Sequence, residues 1–286
     1  MAWFLFALAS SLCWTFASLA QKDATHHEHA IQVGVASAIL QAVMALVLIP
    51  FINFNFNLWL WPLLLVSGVI ISFGFYYSIK AFKSLDSSVV SPLFNSGTII
   101  VIVLSMVFLH EKLSPIQLFG VLLLVLGTYV LELKKGHILS PFIEIYKSKK
   151  VHLALWATLF YSLHAVLSKY ILFYIQPLTY VFIELVLMAV VLIAIAYLRH
   201  NGTSDIKKGF KVHRWMIVAI AFFSLTAELF AFFALSRGEA ALVVPIIRTW
   251  TLFVVVLGGT FYKEGHLRNR ILATAIMLVG IFIIYL

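Results

Sequence analysis

The chain has 286 residues, of which 63% are hydrophobic and only 11% charged, with a mean hydropathy of +1.06. A water-soluble domain carries roughly 25% charged residues, so this composition excludes a fold solvated mainly by water and points to lipid instead. The formal net charge of +9 does not indicate nucleic acid, because the basic residues sit in short gaps between apolar runs, and no basic segment is interleaved with aromatics for stacking bases.

A membrane span needs about 20 mostly apolar residues. Runs of that kind fall near residues 2–20, 31–52, 58–81, 88–109, 115–133, 151–170, 177–198, 214–236, 240–262 and 268–286. They are too long for barrel strands, and helices keep every backbone bond within the segment. The expected fold class is therefore all-α integral membrane, with ten transmembrane helices. The first run has no Lys or Arg ahead of it and reads as a span, not as a signal peptide. The single cysteine, Cys13, lies within it and can form no intrachain disulfide. His26, His27, Glu28 and His29 resemble a metal tract in composition, but no second ligand cluster accompanies them. They read as a solvated loop, and no metal or cofactor is expected. The longer polar connectors, 134–150 and 199–213, are too short to fold as domains.

Lys and Arg set the expected topology. Gaps after spans 1, 3, 5, 7 and 9 carry sixteen of the twenty, including Lys80 and Lys83, the five lysines of 134–150, and Arg199, Lys207, Lys208, Lys211 and Arg214. The other gaps carry only Lys112, Lys169 and Arg237, and Arg248 falls inside span 9. The lysine-rich side is expected in the cytoplasm, with both termini outside.

The chain also repeats itself. A shift of 153 residues aligns 81–131 with 234–284 without a gap, matching Ala81 to Ala234, Pro92 to Pro245, Thr98 to Thr251, Phe108 to Phe261, Glu111 to Glu264 and Gly127 to Gly280. A shift of 147 weakly aligns the first span with the sixth, bringing Trp14 onto Tyr161 and Lys22 onto Lys169. The expected units are residues 1–133 and 151–286, five helices each, joined by a linker at 134–150. Five is odd, so the second unit enters from the opposite side. Two inverted five-helix repeats can rock about a shared midplane site, which is the logic of alternating access.

The stretch from Pro92 to Gly127 resembles the C-terminal part of an EamA repeat of the drug/metabolite transporter superfamily. The proline early in one helix, the loop HEKLSPIQLFG at 110–120 and the glycines of the next helix carry the resemblance, and Trp14 fits the family pattern. The second copy, YKEGHLRNR at 262–270, lacks counterparts of Pro115 and Gly120. The resemblance implies secondary transport or export of small metabolites, and a prokaryotic cytoplasmic membrane is the expected location.

Ionisable groups within spans are costly and mark function or pairing. Here they are Glu184, Glu228 and Arg248, with His164 nearby. Counting along the spans puts the first three about 10–12 Å below the outer edge and His164 about 9 Å below it. As a shared polar layer, Arg248 would hold a carboxylate or phosphate, and Glu184 or Glu228 would bind an amine or carry a coupling proton. As a structural device, Arg248 would pair with one of the two acids. Pro92 and Pro245 are expected to break their helices three residues before Asn95 and Arg248. Trp14 lies too deep for the headgroup belt and is a candidate for the cavity wall, while Asn95 supplies a hydrogen-bonding group to span 4.

No nucleotide-binding, metalloprotease, esterase-elbow or selectivity-filter signature is present. The reading is a metabolite transporter with no enzymatic activity, moving amino acids or other carboxylated compounds. A carrier of phosphorylated or lipid-linked sugars is the alternative, with an intramembrane enzyme or a channel further away. The expected partners are the small-molecule substrate and the bilayer. Two fused halves complete a cavity within one chain, which favours a monomer.

Overall fold

The computed structural model describes residues 2–27, 30–85, 87–132, 149–211, 214–254 and 267–285, and among these it is helical with no strand. In chain order the helices are α1 (Ala2–His27), α2 (Ala30–Ala45), α3 (Leu60–Ser84), α4 (Ser87–Phe108), α5 (Pro115–Glu132), α6 (Lys149–Ile171), α7 (Pro177–Arg199), α8 (Thr203–Lys211), α9 (Arg214–Leu235), α10 (Ala240–Ile247) and α11 (Leu267–Tyr285). Six of them, α1, α2 with its extension, α3, α6, α7 and α9, are long and apolar enough to cross a membrane, and four shorter apolar stretches lie at Leu93–Phe108, Pro115–Gly127, Ala240–Val254 and Ala275–Ile284.

Local chemistry sets several boundaries. Pro50 tightens the end of the second apolar run into a 3-10 turn, Leu46–Phe51, since proline supplies no N–H to an α-helical ladder. Pro177 opens α7 at a position where its missing N–H costs nothing. The connector 199–213 holds a helix, α8, with Asp205 in its first turn and Lys208 and Lys211 in its last, each sign on the end of the macrodipole that favours it.

The two-repeat architecture is visible in which helices pack together. α1 lies along α9 and α3 along α6; α6 also packs on α4, and α1 on α10; α2 meets α9, and α7 meets α3. Exchanging α1 with α6, α2 with α7, α3 with α9, α4 with α10 and α5 with α11 converts each of these pairs into another of them. The pairs α2 with α7, α4 with α10 and α5 with α11 are their own images. At the α5–α11 crossing, Gly120 and Gly280 face each other so closely that a Cβ on Gly280 would stand 2.8 Å from the Gly120 carbonyl oxygen. Small residues permit such backbone approach where lipid offers no hydrophobic drive.

The ends of the bundle are tied by specific contacts. At one end Lys169 Nζ donates to Leu235 O and Gly238 O, and Thr179 exchanges hydrogen bonds with Asn53. At the other, Gln32 binds Asp205, Ala24 packs with Ile217 and Ile220, and Ala81 packs with Val151 and Ala154. The outer surface is apolar, with Leu5, Leu65, Val103, Phe119, Phe222 and Phe282 all exposed. Water could not solvate so continuous an apolar surface.

Candidate functional site

Pro245 lies inside α10 and contributes no N–H to it. The helix ends at Ile247, Arg248 and Thr249 form a turn, and helical backbone resumes at residue 250. Across the turn the bonds shorten to i→i−3, with Thr249 N to Ile246 O, Thr251 N to Arg248 O and Leu252 N to Thr249 O. Arg248 is partly exposed at this interruption, and its Nη1 donates to the carbonyl of Phe94 on α4. Gly97 makes room, because a Cβ there would lie 2.7 Å from that nitrogen. Asn95 Nδ2 reaches Thr251 Oγ1 at 3.5 Å, the limit of a hydrogen bond.

The expected matching break at Pro92 is not seen: α4 is continuous from Ser87 to Phe108. A proline withholds one N–H from a helix, and the backbone of α4 stays helical through it. In α10 the chain opens one turn after the proline, where the Arg248 side chain is drawn across to α4.

Hydroxyls line this crossing in a pattern that obeys the repeat. Thr15 Oγ1 donates to Trp250 O (3.4 Å) and to Ser11 O (2.8 Å). Ser162 Oγ donates to Gly97 O (3.0 Å) and to Thr158 O (2.8 Å). The 147 shift turns Thr15 into Ser162 and Ser11 into Thr158, and the 153 shift turns Gly97 into Trp250. Ser11 meets Thr249 at 2.9 Å, and Thr158 bonds Leu93 O at 3.1 Å. None of these four hydroxyl residues stood out in the sequence; the match of Trp14 to Tyr161 was the signal that could have found them. Trp14 itself is partly exposed, and Tyr161 stands edge-on to Phe94 at 6.0 Å.

The acids gather elsewhere. His164 Nε2 lies 2.5 Å from Glu184 Oε1, with both side chains buried. The same nitrogen is 3.1 Å from Ser168 Oγ, and Tyr180 OH links Ser168 (2.8 Å) to Ser67 (2.6 Å). Phe232 on α9 packs on Tyr180 at 4.7 Å, and Glu228, one turn earlier, lies within electrostatic range of Glu184. The Oε2 atoms of Glu184 and Glu228 are buried with no hydrogen-bond partner. The pairing considered between Arg248 and one acid is not formed among the described residues; Glu184 pairs with His164, and Arg248 takes a backbone carbonyl. A cavity of about 280 Å³ lined by Phe4, Leu278, Ile281 and Phe282 touches none of these groups. The side chains of His26, His27, Glu28 and His29 lie outside the described residues.

The family model for EamA-like transporters matches residues 1–133 and again 148–286. The chain belongs to the EamA-like transporter family. It is thus an integral membrane protein of the drug/metabolite transporter superfamily, a superfamily of transporters and not of enzymes. A solved structure described as "Crystal structure of protein" shares the fold at a TM-score of 0.73 and 14% identity, over 98% of this chain and 95% of the other. No curated protein matches.

The EamA loop at 110–120 has a physical reading residue by residue. His110 takes the left-handed conformation (φ 55°) that ends α4, and Glu111 N returns to Ser105 O. Ser114 and Gln117 exchange side-chain and backbone bonds as a capping box for α5, with Pro115 at its first position. Gly120 makes the α5–α11 crossing. Glu111 leaves its own repeat: its two oxygens accept from Ala240 N (2.7 Å) and Ala241 N (3.0 Å), capping the first turn of α10. Glu264, its counterpart, lies outside the described residues.

Proposed function

We propose that this EamA transporter moves small carboxylated metabolites, amino acids among them, by alternating access, with ten crossings built as two inverted five-helix repeats. The observation that carries the reading is Arg248: a half-buried arginine at the interruption of a spanning helix, its guanidinium paired with no carboxylate among the described residues. An interrupted helix at the interface of two repeats, as α10 is against the continuous α4, is where transporters of this construction bind substrate. A planar, bidentate fork suits a carboxylate.

Contacts at the two ends support the inversion. The C-terminal end of α6 meets the C-terminal end of α9 through Lys169, and there the start of α10 meets the end of α4 through Glu111. The start of α2 meets α8 at the opposite end, and the end of α3 meets the start of α6 there. Tracing these ends, α1 and α6 run in opposite senses, as do α2 and α7, α3 and α9, and α4 and α10. Glu184 and Glu228 supply the second polar centre, for a substrate amine or a coupling proton.

The test is exchange in proteoliposomes. Labelled amino acids should exchange saturably across the bilayer, and Arg248→Lys should lower apparent affinity at least about tenfold while the variant still folds, because the charge stays and the fork is lost. Unchanged affinity would remove Arg248 from the site. Exchange of sugar phosphates but not of amino acids would replace the carboxylate reading with the phosphate one.

A further inference from the structure

The helix α8, nine residues long, is too short and too polar to cross a membrane. It is seated on the start of α2. Asp205 accepts from Gln32 Nε2 (2.8 Å) and from the Asn201 amide (2.9 Å). Gly209 lies so close to α2 that a Cβ there would overlap the Gln32 carbonyl oxygen. This seating leaves Lys207, Lys208 and Lys211 exposed, and helical spacing puts the three on one side. Arg199, at the end of α7, and Arg214, at the start of α9, are exposed beside them. The one acid of residues 199–215 is Asp205, which is 5% exposed and occupied by Gln32 and Asn201. Within residues 199–215 the outward surface therefore carries five cations and no carboxylate.

Adjacent residues fix the level of this surface. Leu198 is 83% exposed and Trp215 is 85% exposed. An indole beside bare aliphatic surface stands where headgroups give way to acyl chains. The cations thus lie at the height of phosphates, with Arg199 in the last turn of α7 and Lys208 and Lys211 in the last turn of α8, where the helix dipole is negative and favours cations.

We propose that α8, with Arg199 and Arg214, is a binding site for the headgroup of an anionic phospholipid of the phosphatidylglycerol kind, its acyl chains lying against Leu198 and Trp215. A net negative headgroup satisfies the cluster. A zwitterionic one brings its own ammonium and gains little. The guanidinium forks grip phosphate oxygens, and the lysines act as point charges around them. The site needs neither Arg248 nor a transported substrate, so it stands or falls apart from the transport reading.

The experiment uses the full chain in a neutral detergent, titrated with phosphatidylglycerol, phosphatidylcholine or free glycerol phosphate, with bound molecules counted by native mass spectrometry. Phosphatidylglycerol should bind in preference to phosphatidylcholine. Lys207→Gln/Lys208→Gln/Lys211→Gln should weaken that binding about tenfold or more. Lys112→Gln, at the opposite end, should leave it unchanged, and Lys207→Arg/Lys208→Arg/Lys211→Arg should bind as the parent does. Equal binding of the two lipids, equal affinity of the glutamine variant, or equal competition by glycerol phosphate would overturn the proposal. Loss of binding in the arginine variant would overturn it as well, because charge would then not be the determinant.

Discussion

Glu111 does for α10 what a helix start ordinarily asks of its own N-cap residue. The observed cap of α10 is Glu239, whose side chain makes no capping bond, and the carboxylate of Glu111 takes the first two amides instead. Glu111→Gln keeps one acceptor, turns an amide NH₂ toward a backbone N–H, and removes a negative charge from the positive end of the dipole. The expected loss is about 1–2 kcal/mol, seen as a melting transition lower by roughly 2–8 °C in a detergent thermal scan. An unchanged transition would mean that the cap contributes nothing. Arg248 teaches a related lesson. Its residue type and its place one turn after Pro245 were legible in the sequence, but its partner was not. Counting residues along a span gives depth, whereas the neighbour is set by how helices sit around the bundle. So the titratable groups were legible as a set, and their division into a His164–Glu184 pair and an Arg248–Phe94 contact was not. Ser11, Thr15, Thr158 and Ser162 escaped for another reason: a hydroxyl in an apolar helix can satisfy itself on its own i−4 carbonyl, as Thr15 and Ser162 do, and so carries no cost that would flag it.

At the scale of elements, α8 is the one most at odds with its sequence. A nine-residue polar run with a glycine near its end reads as a connector. Yet Gly209 is there for approach to Gln32, and Asp205 turns in while the lysines turn out. Asp205 provides a pH handle. The Gln32 hydrogen bond first, then the Asn201 amide and the charges of His200 and Lys208, hold its carboxyl below the usual value against the opposing effect of burial. A carboxyl depressed in the fold stabilises it fully above the ordinary Asp range, near ~3.9. That contribution is lost as pH falls through the lowered value. Amide hydrogen exchange in residues 203–211 should therefore accelerate below about pH 4, before exchange in α7 does. Asp205→Asn should give the faster exchange already at neutral pH. Equal protection in parent and variant would show that Asp205 does not hold α8 to α2.

For the whole molecule, the decisive quantity is sidedness. Sixteen of twenty basic residues, Lys207, Lys208 and Lys211 among them, fall in gaps after odd-numbered spans, so the α8 end is expected to face the cytoplasm. A cysteine at Ser204, in a chain where Cys13→Ser has removed the native thiol, should resist a membrane-impermeant maleimide in intact cells and react once the cells are opened. A cysteine at Asn55 should do the reverse. Labelling of position 204 in intact cells would turn the molecule over. Much of the large-scale plan was legible because lipid imposes long apolar runs and because duplication leaves a fixed offset.

The cap that Glu111 places on α10 crosses from one copy of the repeat to the other. So do the Thr15 bond to Trp250 and the Ser162 bond to Gly97. Neither copy, then, holds its own critical groups; each is completed by its sibling, as in an exchange of hostages. Cohesion of that kind owes nothing to the covalent join between them. Residues 1–133 and 148–286, made as two separate polypeptides in the same cell, should find each other in the bilayer and co-purify through a tag on either one. A Glu111→Gln fragment should reduce the yield of the pair, and fragments that ignore each other would show that the peptide join, and not the traded contacts, keeps the halves together.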